Sequence, residues 1–153
     1  MTAMSKITRA GYNDLPEILD LQYLAYQTEA ARFGRNDIQP LTETLDELKQ
    51  QYEHGTFLKL VEEDGTITGS VRAYEKDGTV YIGKLMVHPD HRRKGYGSAL
   101  LAEIEKCFPK KRYELFTSTR SVENIRLYEK KGYKIFDRNQ IDEELAFVYL
   151  EKL

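Results

Sequence analysis

Two short segments constrain this chain more than anything else in it: Glu63-Asp64-Gly65-Thr66 and Lys76-Asp77-Gly78-Thr79. Each sets an Asp-Gly pair between runs rich in β-branched, aliphatic and aromatic residues. Asp-Gly is the pair that most readily enters the left-handed backbone conformations of a tight hairpin turn. The flanking runs 57–62, 67–75 and 80–87 are therefore predicted to form an antiparallel meander. Three strands alone leave an apolar face bare, so other elements must cover it.

The remaining chain supplies them. Residues 6–9 alternate as a strand, and Asn13 or Asp14 offers an N-cap with Pro16 tolerated in the first turn. Leu15, Ile18, Leu21 and Ala25, widened by Leu19 and Leu24, make a buried helical stripe out to about Ala31. Gly34 and Pro40 interrupt it. Thr44 with Glu47 fits a capping box for a second helix carrying Leu45, Leu48 and Tyr52, which Gly55 stops. Further on, Leu100, Leu101, Ile104, Cys107 and Phe108 recur at helical spacing up to Pro109. A strand over 113–117, a short helix over 122–131 ending at Gly132, and strands over 133–136 and 146–150 follow. Strands alternating with helices require at least one crossover, so the expected architecture is a mixed α/β sheet with helices on both faces.

A length of 153 residues suits one domain spanning 1–153, large enough for a core without a disulfide or metal staple. With 23 basic against 25 acidic residues the net charge is −2, which argues against a nucleic-acid partner. The lone Cys107 closes no intrachain bridge and is expected to be an inert packed thiol, pointing to a reducing, cytoplasmic setting. No run approaches the ~20 apolar residues of a membrane span, and 1–6 lacks the apolar stretch of a signal peptide, so neither export nor membrane insertion is expected. His88 and His91 flank Asp90, but Pro89 breaks any helix that would aim them together, and no metal is expected.

The chemistry-bearing segment is Arg92-Arg93-Lys94-Gly95-Tyr96-Gly97-Ser98, between a buried strand and an amphipathic helix. Helix-start amides point along the positive end of the helix dipole, glycines admit a diphosphate close to the backbone, and three cations supply field. A solvated surface turn is the plain alternative. A dinucleotide fingerprint would place a third glycine where Leu100 stands, and a Walker loop would need Gly-Lys-Ser/Thr after four spacers; neither is present.

With Arg92, Gly95 and Gly97 matching an Arg/Gln-x-x-Gly-x-Gly/Ala signature, the chain resembles the GNAT superfamily of N-acetyltransferases. Leu85-Met86-Val87-His88-Pro89 is similar to the strand end preceding that signature, and Asn124 to Tyr133 is similar to the family's second hallmark. The resemblance implies a mostly antiparallel sheet of six to seven strands whose fourth and fifth strands splay into a V holding the pantetheine arm of acetyl-CoA. It further implies that backbone groups of Leu85, Met86 and Val87 pair with that arm, and that the turn at Arg92, Arg93, Lys94, Gly95, Tyr96, Gly97 and Ser98 holds the pyrophosphate. A primary amine of a small molecule or peptide would attack the thioester directly, with Tyr128 as the acid for the departing sulfur and Asn124 orienting the arm or a water. Taken alone, the spacing of Tyr128 favours packing of its helix against the sheet, and Asn124 suits a helix-start turn.

The resemblance fails at one position. Where some members carry a glutamate base on the fourth strand, this chain has Tyr81. Glu75, Glu29 or a water chain could take the proton instead, or the amine could arrive already neutral, and a non-catalytic acyl-CoA sensor with the same fold stays open. Tyr23, Tyr26, Gln27 and 33–38 are expected on the acceptor side, and the protein as a monomer or homodimer without nucleic-acid or membrane partners. Gly83, in mid-strand, marks a ligand approach or a bulge.

Overall fold

The computed structural model describes residues 5–35 and 37–153, the side chains of Glu29, Arg32 and Phe33 excepted. Its seven strands are β1 (Lys6–Arg9), β2 (Thr56–Val61), β3 (Ile67–Lys76), β4 (Thr79–Val87), β5 (Arg112–Ser118), β6 (Lys134–Gln140) and β7 (Ala146–Lys152), in the spatial order β1-β2-β3-β4-β5-β7-β6. Every neighbouring pair is antiparallel except β4–β5, which is parallel. The crossover between those two strands carries a helix, as a parallel pair requires.

Both Asp-Gly segments turn the chain, by different means. At the second, Asp77 and Gly78 are both left-handed (φ 53° and 82°), joining Lys76 to its partner Thr79 in two residues. The first is a wider loop: Glu62 N–H donates to Thr66 O and Gly65 N–H to Glu62 O, both at 2.9 Å, with only Gly65 left-handed at φ 91°. Asp64 Oδ1 accepts from Thr66 N–H at 2.9 Å, so the carboxylate stabilises the loop from within.

The helices are α1 (Leu15–Phe33), α2 (Gln39–Thr42), α3 (Leu45–His54), α4 (Tyr96–Lys106) and α5 (Val122–Lys130). Alternate strand residues feed two cores. On one face Phe57, Ile67 and Met86 pack with Leu15, Ile18, Leu21 and Leu48 of α1 and α3. On the other, Leu60, Val71, Ile82 and Leu115 pack with Leu100 and Ile104 of α4 and with Tyr128 of α5. None of the described helices is long and apolar enough to cross a membrane.

Local departures from expectation have local causes. Leu24 is 40% exposed because, nine residues after Leu15, it lies about 180° round the helix from it. Asp14 sits at the start of α1 without capping it; its carboxylate accepts from Gly11 N–H at 2.7 Å and pairs with Lys59 at 2.8 Å. Tyr133 precedes β6, 2% exposed, its N–H donating to Tyr128 O, and β6 then runs on to Gln140. The capping box of α3 does form: Glu47 N–H donates to Thr44 Oγ1 at 3.2 Å and Thr44 N–H to Glu47 Oε1 at 2.9 Å. Thr44→Ala is expected to cost about 1 kcal/mol, read as a lower denaturation midpoint at unchanged slope. An unaltered midpoint would show that the box adds nothing.

Candidate active site

Pairing of β4 with β5 covers only Thr79↔Arg112, Val80↔Tyr113 and Tyr81↔Glu114, although β4 continues to Val87 and β5 to Ser118. The strands therefore part beyond Tyr81, leaving one edge of β4 without its sheet partner. A bulge lies just past that point: Arg72 faces Gly83 but Ser70 faces Met86, so β4 carries one residue more than β3. Lys84, at φ 48°, occupies the left-handed position. Bulges bend a strand and increase its twist, which turns β4 away from β5. Gly83 thus borders a bulge, and a Cβ placed on it would meet no atom within 4 Å.

At the open end β4 leads through a 3-10 turn, Pro89–His91, into the basic segment. Arg93 (φ 67°) and Gly95 (φ 78°) are left-handed, and this reverses the chain into α4. Gly95 is the N-cap and no side chain caps the helix. Its carbonyl accepts from Ala99 N–H at 3.1 Å, but the amides of Tyr96, Gly97 and Ser98 in the first turn have no intrahelical acceptor. Three elements hold this cup in place. Arg92 reaches back to α1, donating from Nη2 to Ala25 O at 3.0 Å and from Nη1 to Thr28 Oγ1 at 3.2 Å. Tyr96 O–H donates to Glu62 Oε1 at 2.9 Å. A Cβ on Gly97 would stand 3.3 Å from Leu127 Cδ2, so α5 lies directly against the start of α4. Arg93 and Lys94 remain exposed.

Leu85 and Val87 turn their side chains to the α4 core and Met86 to the α1 core, fixing the backbone of 85–87 along the parted edge. Asn124 and Tyr128 stand one turn apart on α5. Asn124 is half-buried, and Tyr128 is 5% exposed with its ring centroid 6.1 Å from that of Tyr133.

On the α1 face a cavity of about 580 Å³ is lined by Tyr23, Gln27, Ala30, Ala31 and Leu41. It unites Tyr23 and Gln27, while Tyr26 packs against the α1 core; the 33–38 segment falls partly outside the described residues. Tyr23 O–H donates to Glu43 O, and Glu43 anchors a buried polar network that single-residue reading missed. Arg72 Nη2 lies 2.7 Å from Glu43 Oε1, Gln22 Nε2 donates to the same oxygen at 3.0 Å, and Gln51 donates to Oε2. Arg72 also donates to Gln22 Oε1 at 3.2 Å and stacks on Phe57. Burial pushes the Glu43 carboxyl up, but Arg72 and the Gln22 hydrogen bond outweigh it and hold the group below the usual carboxylate range. Arg35, after α1, pairs with Asp142 between β6 and β7, and this hydrogen bond holds the Asp142 carboxyl down at about 2.

Among the base candidates, Tyr81 stacks on Tyr74 with centroids 5.2 Å apart. Glu75 pairs with Lys111 at 3.0 Å and sits opposite Val80, at the closed end of the β4–β5 pair. The Glu29 side chain lies outside the described residues. His88 Nδ1 accepts from Asp90 N–H at 3.0 Å, and among the described residues no group of three His, Cys, Asp or Glu is placed to hold a metal. Cys107 is half-buried, its Sγ 3.5 Å from Glu103 O. Arg112 pairs with Glu114 of its own strand β5 and ties that strand to β7 through Glu151, each at 2.8 Å.

The chain is similar to known proteins. Over 47 residues, 29% of this chain, it is 45% identical to the mycothiol acetyltransferase of Kineococcus radiotolerans; over 120 residues, 77% of this chain, it is 30% identical to the UPF0157 protein YqkA of Bacillus subtilis. Those matches span only 16% and 34% of the two relatives' lengths. The PaiA N-acetyltransferase of Thermoplasma acidophilum, solved with coenzyme A, has the same fold: TM-score 0.81 at 19% identity, covering 97% of this chain and 98% of that one. The Acetyltransferase (GNAT) family matches residues 15–133, the span that holds the parted strands, the uncapped turn and α5, and the chain belongs to that family.

Proposed function

We propose that the protein is an acetyl-CoA-dependent N-acetyltransferase that moves an acetyl group to a primary amine of a small molecule or peptide within a ternary complex. The observation that carries this reading is the parting of β4 from β5 beyond Tyr81, with an uncapped helix start at its open end. An exposed strand edge offers donors and acceptors to an amide-bearing arm, as β-augmentation does, and free first-turn amides suit a diphosphate. Coenzyme A in the Thermoplasma relative supports the same ligand class.

In this reading the backbone of Leu85, Met86 and Val87 pairs with the pantetheine arm. The amides from Arg93 to Ser98 hold the pyrophosphate, with Arg92 bracing the turn against α1 and Lys94 adding charge. An amide near Met86 or Val87 steadies the oxyanion formed when the amine attacks the thioester carbonyl. Tyr128 passes its proton to the leaving sulfur, and Asn124, one turn earlier, orients the arm or a water. No covalent enzyme intermediate is required.

Incubation with acetyl-CoA and a panel of amines is expected to release free CoA thiol in an acceptor-dependent manner. Tight acetyl-CoA binding with no release for any amine would favour the sensor reading, which the absence of a β4 carboxylate beyond Tyr81 keeps specific. ATP binding that acetyl-CoA does not displace would contradict both.

A further inference from the structure

An acceptor amine enters water mostly as an ammonium and must lose a proton before it can attack. The carboxylate that would take it is replaced by Tyr81. Three residues on, the bulge of β4 presents Lys84, past the last β4–β5 pair and so within the opening. Its left-handed backbone is disfavoured for a residue with a Cβ, and the bulge places its charge with Arg72 and Glu43 on the α1 side of the sheet.

That setting is unusual for a lysine. The side chain is half-buried and has no hydrogen-bond or ion-pair partner among the described residues. The charged groups facing it are Arg72 from β3 and Glu43 from the segment between α2 and α3; Tyr26 of α1 acts on Arg72. Arg72 and Glu43 are committed to each other at 2.7 Å, so Lys84 is a surplus cation beside a neutralised pair. Burial and then Arg72 push its ammonium down to about 8, against the pull of Glu43. The backbone carbonyl of Glu43 in turn accepts from Tyr23, a wall of the cavity on the acceptor side.

We propose that Lys84 is the catalytic base: its neutral Nζ takes the proton from the acceptor's ammonium at the mouth between β4 and β5. The assignment rests on the acetyltransferase reading above. The acceptor gives up two protons. The first goes to the Nζ lone pair and from there to water; the freed amine forms the C–N bond as the C–S bond breaks. The second leaves the new amide nitrogen and replaces the proton that Tyr128 has passed to sulfur, so the products are amide, CoA thiol and one released proton.

The test compares wild type, Lys84→Gln and Lys84→Arg for acetyl-CoA affinity and for kcat/KM between pH 6 and 10. Wild-type kcat/KM is expected to rise through an inflection near 8. Both variants are expected to bind acetyl-CoA like wild type, which also reports their folding, yet to lose roughly 10²-fold or more in kcat/KM at neutral pH together with that inflection. Arginine keeps the charge but does not give up its proton, so Lys84→Arg separates a base from an anchor for an anionic group. Near-wild-type turnover in Lys84→Arg, or an unchanged pH profile in Lys84→Gln, would overturn the assignment while leaving the acetyltransferase reading intact. Wild type that binds acetyl-CoA but acetylates no amine would overturn that reading, and the assignment with it.

Discussion

Tyr128→Phe is expected to lower kcat and kcat/KM together by roughly 10²–10⁴-fold, with acetyl-CoA affinity unchanged. The ring is part of the α4 core at 5% exposure, and phenylalanine keeps its volume, so packing survives the change. What disappears is the hydroxyl proton. A phenol near pKa ~10 gives it to a thiolate whose conjugate acid lies near ~8.5 only where the site favours the transfer, and without that donor the sulfur leaves as an unprotonated thiolate. Calorimetric acetyl-CoA titration alongside steady-state kinetics checks both halves. Full kcat in the phenylalanine variant would assign Tyr128 to packing alone.

Glu43→Ala is expected to destabilise the fold by about 3–5 kcal/mol, the usual cost of stranding one member of a buried ion pair. Arg72 is 5% exposed and would keep its charge with no carboxylate opposite, while Gln51 would lose its Glu43 acceptor and Gln22 would be left with Pro40 O alone. Removing Arg72 as well, as Glu43→Ala with Arg72→Met, should recover much of the loss, because the stranded charge is what costs. The pH dependence has a definite sign. The folded Glu43 carboxyl titrates below its unfolded value, so its contribution is full above the unfolded pKa and is lost as pH falls through the folded one. The gap between wild type and Glu43→Ala in denaturant melts is therefore expected to narrow from neutral pH into acid. A constant gap would mean that the carboxylate's charge does not matter.

Much of the architecture was legible because it is written in local signals. Asp77-Gly78 has the backbone of a two-residue turn, the stripe from Leu15 to Ala25 is buried, and Thr44 with Glu47 caps its helix. The basic turn was legible for the same reason: left-handed Gly95 and an amphipathic helix behind it are neighbours in sequence. The polar network was not. Gln22, Glu43 and Arg72 lie on three separate segments, and each by itself reads as a solvated residue; only the closing of α1 and α3 onto β3 makes them one buried cluster. The bulge was half legible. Gly83 marked it, but which residue is extra depends on the register with β3, which no local pattern encodes. Lys84, interrupting the apolar run Val80 to Val87, was the available clue. The Arg112–Glu151 pair was not legible either, because the two meet only when β7 inserts beside β5.

The central claim, that the parted edge of β4 and the first turn of α4 together hold a thioester carrier, is tested most directly by titrating acetyl-CoA into isotopically labelled protein and following the backbone amides. Saturable shifts concentrated at 85–87 and 93–98 are expected, with added ATP failing to reproduce the set at 85–87. Saturable shifts that spare both segments, or no response at all, would contradict it.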